Sequence, residues 1–234
     1  MINTVSDYSM YSTKYQASLM GLMIFELKSL IGRLLLPKEP PQVKSASRFL
    51  HLGCGSRIFE DWVNADFFRP KFWKAPKSLW MLDLRYPLQC DDDYWDGVFC
   101  QHVLEHLYPI DVYNLLTELL RTLKPACYLR ICVPDLSKYV DYYLGKPSPK
   151  EFSKWPTGAE AIRALTQNWG HCSVWDSELL ALTLRRVGFV NVKEMEFGKG
   201  TDERLVREDE ERKYESLYME AQKPPYGYHN ASMD

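Results

Sequence analysis

Apolar side chains recur along this chain at two different periods. Between residues 15 and 36, Leu19, Met23, Leu27, Leu30 and Leu34 fall three or four apart, the spacing that lines one face of an α-helix. Pro37, Pro40 and Pro41 end that helix, and 37–47 reads as a Pro/Ser/Lys-rich linker. Val112, Leu115, Leu116, Leu119, Leu120 and Leu123 repeat the helical pattern most clearly, and Lys124-Pro125 stops it. A third helix is predicted from about Glu178 to Val187, capped by Ser177 and ended by Gly188. Short apolar runs at 48–52, 62–66, 79–84, 96–101 and 128–133 read as strands, with two closing strands at 190–197 and 216–221. Residues 1–14, polar and rich in Tyr, make a loose start. The stretch 145–175 holds Pro147, Pro149, Pro156 and Gly170 and is expected to be an irregular cap or substrate segment. The charged stretch 201–213 reads as a solvated loop or helix face.

Strands alternating with helices predict an α/β fold with a mostly parallel, Rossmann-like sheet and an antiparallel closing strand. The helix and linker of 1–47 precede one main domain, 48–234. A chain of 234 residues suits that plan, and 46% hydrophobic content supplies a core. A net charge of -2 gives no electrostatic case for nucleic acid as a partner. Six scattered cysteines with no CxxC pair suggest free thiols in a reducing, cytoplasmic setting. No Cys/His pair has zinc-ligand spacing, so no metal is expected. Glu26, Lys28 and Arg33 interrupt the first helix, which rules it out as a membrane span, and no signal-peptide pattern precedes it. The simpler reading packs its apolar face on the domain; a membrane-surface or partner helix is the alternative.

In a parallel sheet, ligands bind beyond the carboxyl ends of the strands. Gly53-Cys54-Gly55 follows the first strand and lets backbone approach a ligand closely. A dinucleotide fingerprint would place a third glycine where Ile58 stands, and a phosphate loop would need a Lys-Ser/Thr pair. The turn therefore favours a nucleoside without a diphosphate. Asp66 ends the second strand, placed to accept both ribose hydroxyls. Asp83 follows the third, placed to accept from an adenine amino group while Leu84 packs on the ring. Each acid has an ordinary alternative as a turn or cap residue; their order after the glycine turn favours adenosine.

The segments FLHLGCGS (49–56), WVNADF (62–67), LDLRYPL (82–88), WDGVFCQHVLEHL (95–107), LLRTLKP (119–125) and LRICVPDL (129–136) together resemble the class I S-adenosylmethionine-dependent methyltransferases. Small bacterial members linked to cell-surface polysaccharide genes are the most similar in character. The resemblance implies S-adenosylmethionine as cofactor. It implies Gly53, Cys54 and Gly55 as the loop around the methionine end, Asp66 and the following Phe67 at the ribose, and Asp83 and Leu84 at adenine. Gln101 and His102 would sit beside the methyl sulfonium. His51 stands where many members carry an acid for the donor's amino group. Only 10 residues separate Gly55 from Asp66, little room for the usual crossover helix. The N-terminal helix is expected to cover the bare sheet face instead, so that deleting 1–36 would cost the folded protein.

Methyl transfer is an in-line displacement, in which the protein mainly positions the reactants. A sugar hydroxyl must also lose a proton, which His accepts near neutral pH. His102 and His171 are the candidates, with Asp135 as carboxylate partner or base; His106 reads as structural. Trp155, Trp169, Trp175, Tyr142 and Tyr143 line an acceptor cleft or fill the core. Arg69, Lys71, Lys74 and Lys77 meet an anionic acceptor or are simply solvated. The leading reading is an O-methyltransferase on a saccharide or other small-molecule acceptor. N- or C-methylation of another metabolite, a non-catalytic S-adenosylmethionine-binding partner protein and a nicotinamide-dependent dehydrogenase are the alternatives.

Overall fold

The computed structural model describes residues 18–68 and 76–228. Helix α1 (Leu19–Leu35) leads into strands β1 (Phe49–Leu52), β2 (Val63–Asp66), β3 (Leu79–Met81) and β4 (Gly97–Gln101). Helix α2 (Pro109–Thr122), β5 (Tyr128–Pro134), helices α3 (Leu136–Tyr143), α4 (Gly158–Gln167) and α5 (Ser177–Val187), then β6 (Val190–Met195) and β7 (Ser216–Gln222) follow. The strands form one seven-stranded sheet in the order β3-β2-β1-β4-β5-β7-β6. Neighbours from β3 through β5 are parallel, whereas β7 runs antiparallel to both β5 and β6. This is the mostly parallel sheet with an antiparallel closing strand that the apolar pattern predicts.

The two faces of the sheet are covered differently. Side chains alternate across a strand, so Leu50, Leu52, Val98, Cys100, Leu129 and Ile131 share one face. There they join a single core with Val112, Leu115, Leu116 and Leu119 of α2 and Leu180 and Leu184 of α5. Each such side chain contributes roughly 1.5–3 kcal/mol by leaving water. The opposite face carries Phe49, Phe99, Cys132 and Tyr218, and it meets Trp62, Phe59 and Leu205 rather than a long helix.

That second face corrects the reading of 201–213 as a solvated stretch. Leu205 is fully buried, and Glu208 turns inward to pair with Arg130, which Glu220 also holds at 2.8 Å. Arg130 sits mid-strand on a face that no crossover helix covers among the described residues. A guanidinium buried there needs acidic partners, and the charged stretch supplies one.

Helix α1 corrects two further expectations. Its stripe of Leu19, Met23, Leu27, Leu30 and Leu34 faces outward, with Leu19 77% and Leu34 69% exposed. The polar side points into the domain instead. Ser29 is buried and donates to Asp83 at 2.6 Å, and Glu26 pairs with Arg85. Arg33 lies over the Tyr86 ring at 3.7 Å, Phe25 stacks on Phe67 at 4.4 Å, and a Cβ at Gly32 would strike Phe68. The helix therefore rests beyond the carboxyl ends of β2 and β3 and does not cover the bare face. No helix among the described residues is long and apolar enough to cross a membrane.

The irregular cap expected at 145–175 contains an ordered helix. Thr157 caps α4 through the Glu160 N–H. Together α3 and α4 enclose a small core of Tyr139, Phe152, Trp155, Ala161, Ala164 and Leu165. Pro147, Pro149 and Pro156 all precede α4, so they delimit the helix without interrupting it.

Because α1 adds polar contacts rather than a core, a chain starting at Pro37 is expected to fold and to unfold cooperatively. Near-ultraviolet circular dichroism and a thermal melt check this; a truncated protein without fixed tertiary signal would restore the covering role.

Candidate active site

Strand β1 ends at Gly53, which has φ +61°, followed by Gly55 at φ +54°. A Cβ at Gly53 would overlap Val103, whereas one at Gly55 would meet open space. Gly53 is therefore required by packing, and the Cβ position at Gly55 faces open space. The Gly55 N–H donates to the Asp66 carboxylate at 2.7 Å, and the Phe67 N–H donates to its other oxygen at 2.7 Å. These bonds bring the glycine turn and the acid ending β2 together, as nucleoside binding requires. Cys54 between the glycines is buried, its backbone N–H bonded to Ala65 across the sheet.

Two of the expected donor contacts meet a different arrangement. His51 is 3% exposed, stacked on Phe59 at 4.1 Å, with Nδ1 3.3 Å from the Asn64 side-chain oxygen. As the middle of an alternating strand it points into the core face of Phe49 and Phe99, not outward past the strand end where a donor's amino group would lie. Burial drives its pKa down to about 4, so it is neutral near pH 7. Asp83 is buried, clasped by Ser29 of α1 and by Arg85, whose Nη2 and Nε donate at 2.6 and 3.0 Å. Burial alone would raise its pKa, but these hydrogen bonds prevail and hold it below the ordinary value. Its carboxylate ties α1 to the sheet, the turn-type role that the sequence left open beside the adenine contact. Leu84 packs at the edge of the main core.

The end of β4 gathers the reactive groups. Gln101 accepts from the Asp209 N–H at 3.1 Å, while its Nε2 is buried without a partner. His102 follows with φ +52°, a conformation that costs a non-glycine residue about 1–2 kcal/mol. Its Nε2 lies 2.8 Å from Ser216 Oγ on β7, and its Nδ1 lies 3.1 Å from Oε1 of Glu105. Glu105, not Asp135, is thus the carboxylate beside His102. Asp135 caps α3, accepting from the N–H and hydroxyl of Ser137 at 3.0 and 2.7 Å. His171 comes from the cap, its ring edge-to-face with His106 at 5.0 Å. Burial lowers the pKa of His171.

Of the aromatic candidates, Trp155 and Trp175 are core residues, and the Tyr142 hydroxyl donates to the Trp155 carbonyl. Trp169 is 43% exposed, its ring 5.7 Å from His171. Tyr143 is exposed on α3. Of the basic loop, Arg69, Lys71 and Lys74 lie outside the described residues, and Lys77 is exposed. A cleft of about 840 Å³ opens near Arg48, Asp91 and Arg121. Arg48 precedes the start of β1, so this cleft lies at the opposite end of the strands from the glycine turn. Glu105 and Ser216 were not singled out from the sequence. Glu105 lies in the HVLEHL run at 102–107, but only the fold brings Ser216 to His102.

The strand order, the glycine turn joined to Asp66 and the polar cluster ending β4 define a class I methyltransferase. Residues 23–194 match the model of a family described as "Methyltransferase domain", and the chain belongs to that family. Its cofactor is S-adenosylmethionine. The open space beside Gly55 and the buried, unpartnered Gln101 amide fit such a ligand. Among solved structures, an S-adenosylmethionine-dependent methyltransferase from Archaeoglobus fulgidus is 20% identical. It aligns over 92% of this chain and 99% of its own, with a TM-score of 0.50. A methyltransferase from Thermotoga maritima is 14% identical over 92% and 99% of the two chains, with a TM-score of 0.48. A phosphoethanolamine N-methyltransferase of Haemonchus contortus is 12% identical over 95% and 60%, with a TM-score of 0.46. The first of these speaks to the fold. No curated protein matches the chain.

Two outcomes follow for this region. Gly55→Ala is expected to remain folded but bind S-adenosylhomocysteine at least tenfold more weakly, whereas Gly53→Ala lowers the melting temperature; calorimetry and thermal melts distinguish them. His51 carries a depressed pKa, so between about pH 6.5 and about 4 the unfolded chain takes up a proton that the native state refuses. Stability should fall across that window as pH drops, and His51→Gln should flatten the fall in denaturant titrations.

Proposed function

We propose that this chain is an O-methyltransferase acting on the hydroxyl of a saccharide or similar small acceptor, in the cytoplasm, within the bacterial subgroup linked to surface polysaccharides. The observation that carries the reading is the cluster of His102, Glu105, His106 and His171 beside Gln101, where β4 ends. The exposed indole of Trp169 next to His171 offers an apolar face of the kind that stacks on sugar rings.

When bound, S-adenosylmethionine supplies a methyl group whose bond to sulfur breaks as the bond to the acceptor forms, so a hydroxyl acceptor must lose its proton. Gly53 and Gly55 hold the methionine end through backbone, Asp66 receives the ribose, and Gln101 lends its free amide N–H to the donor. Nε2 of His102 is bonded to Ser216 and Nδ1 lies 3.1 Å from Glu105, so His102 is held in the cluster and orients it. His171 donates Nδ1–H to the Leu165 carbonyl at 2.6 Å, which leaves Nε2 as a lone pair toward the cluster. The acceptor proton is taken up there, since general bases within hydrogen-bond reach contribute about 10²–10⁴-fold.

Calorimetry with S-adenosylhomocysteine tests the donor half: binding is expected in the wild type and lost in Asp66→Ala. His102→Ala and His171→Ala should keep that binding and lower turnover about 10²-fold or more in a labelled-methyl assay across glycan acceptors. Unchanged turnover in both variants removes the histidine cluster from the reaction.

A further inference from the structure

Glu105 is 1% exposed, and both of its carboxylate oxygens are buried without a hydrogen-bond donor. A carboxylate in that state is costly, and its one near neighbour does not settle the account. The Ser216 hydroxyl spends its proton on the Arg212 carbonyl at 2.8 Å. It must therefore accept from His102 Nε2–H, and a neutral His102 then turns the bare lone pair of Nδ1 toward Glu105 Oε1. Even a doubly protonated His102 would satisfy only that oxygen and leave Oε2 alone. What the geometry lacks is a positive charge at Glu105.

Two further imidazoles stand near it. One donor atom each from Glu105, His106 and His171 lies within 4.8 Å of the others. Because Nδ1 of His171 donates to the Leu165 carbonyl, its free nitrogen is Nε2, fixed in the tautomer that metal-binding histidines hold by the same kind of bond. The backbone positions the ligands in advance. Glu105 and His106 share the tight turn Leu104–His106. The N–H groups of Cys172 and Ser173, next after His171, both donate to the Glu105 carbonyl, at 2.7 and 3.1 Å. Two ligand atoms each about 2.1 Å from one ion stand about 3.0–3.4 Å apart at octahedral to tetrahedral angles, so the ligands must draw together by more than about 1 Å, a movement that rotation of the exposed His106 ring allows.

We propose that Glu105, His106 and His171 bind a divalent transition-metal ion of the manganese, iron or zinc class. Two imidazoles and one carboxylate suit borderline ions, and three protein ligands leave positions open. A metal ion there takes the Nε2 lone pair of His171, so in the loaded protein the acceptor hydroxyl binds at an open position, is polarised by the ion and gives its proton to solvent water in place of His171. This deepens the methyltransferase reading and rests on it for the acceptor, though not for the metal. It also replaces the expectation of no metal, which came from local spacing: 64 residues separate His106 from His171.

The test uses the full-length, tag-free protein, treated with chelator, its fold verified by circular dichroism, and titrated with Co²⁺. Saturable binding of one ion per chain with a visible absorption band is expected, weakened at least tenfold in both His106→Ala and His171→Ala. Folded protein that shows no saturable band, or variants that bind as the wild type does, would overturn the site. Glu105→Gln keeps the size of the buried side chain, and a folded Glu105→Gln protein that still binds Co²⁺ with wild-type affinity would also overturn it. S-adenosylhomocysteine is titrated into the same samples. Its binding without Co²⁺ binding ends the metal proposal alone, and the reverse result ends the donor reading while the metal site stands.

Discussion

A carboxylate taken out of water must be met by positive charge or by donors, and Glu105 is the place where this fold concentrates that demand. Around it the end of β4, the first residues of β7 and the cap segment converge: His102 through its ion-pair distance, Ser216 through His102, and Cys172 and Ser173 through backbone bonds. None of these elements is adjacent in sequence. The antiparallel insertion of β7 beside β5 is what carries Ser216 to the carboxyl end of the sheet, because β7 starts where β5 stops. The strained backbone of His102 belongs to the same arrangement, since a residue held at positive φ persists only where its surroundings over-determine it.

The abbreviated crossover of β1 to β2 shapes the rest of the molecule. With no helix between β1 and β2 among the described residues, one face of the sheet is closed by aromatic side chains, short turns and a buried cluster of Arg130 with Glu208 and Glu220. His51 is absorbed into that face as a neutral, stacked ring. The same economy leaves the ends of β2 and β3 open, and α1 occupies them. It does so through Ser29, Glu26 and Arg33, turning its polar side inward and its apolar side out, so that Asp83 becomes a structural anchor.

How much could be read in advance follows from the type of signal. The strands, α2 and α5 were legible because their apolar periodicity reports burial directly: a stripe such as Val112 to Leu123 has one place to go. Gly53, Gly55 and Asp66 were legible as a turn and a strand-end acid, and the hydrogen bond from Gly55 to Asp66 joins them. The cap helix α4 was hidden by the prolines before it, and the outward stripe of α1 by the assumption that an apolar face seeks its own domain.

The sequence by itself determined the strand pattern, the positions of its breaks and hence the edge at which chemistry is gathered. Local periodicity and turn residues act over a few positions, and they act on every copy of the chain alike. Only the tertiary structure decided what the polar groups do there. Asp83 anchors a helix, Asp135 caps one, Glu105 is the buried partner of His102, and His171 stands beside His106. Those roles depend on which hydrogen-bonding groups lie within about 3 Å across tens of residues of chain, and no local pattern records that distance.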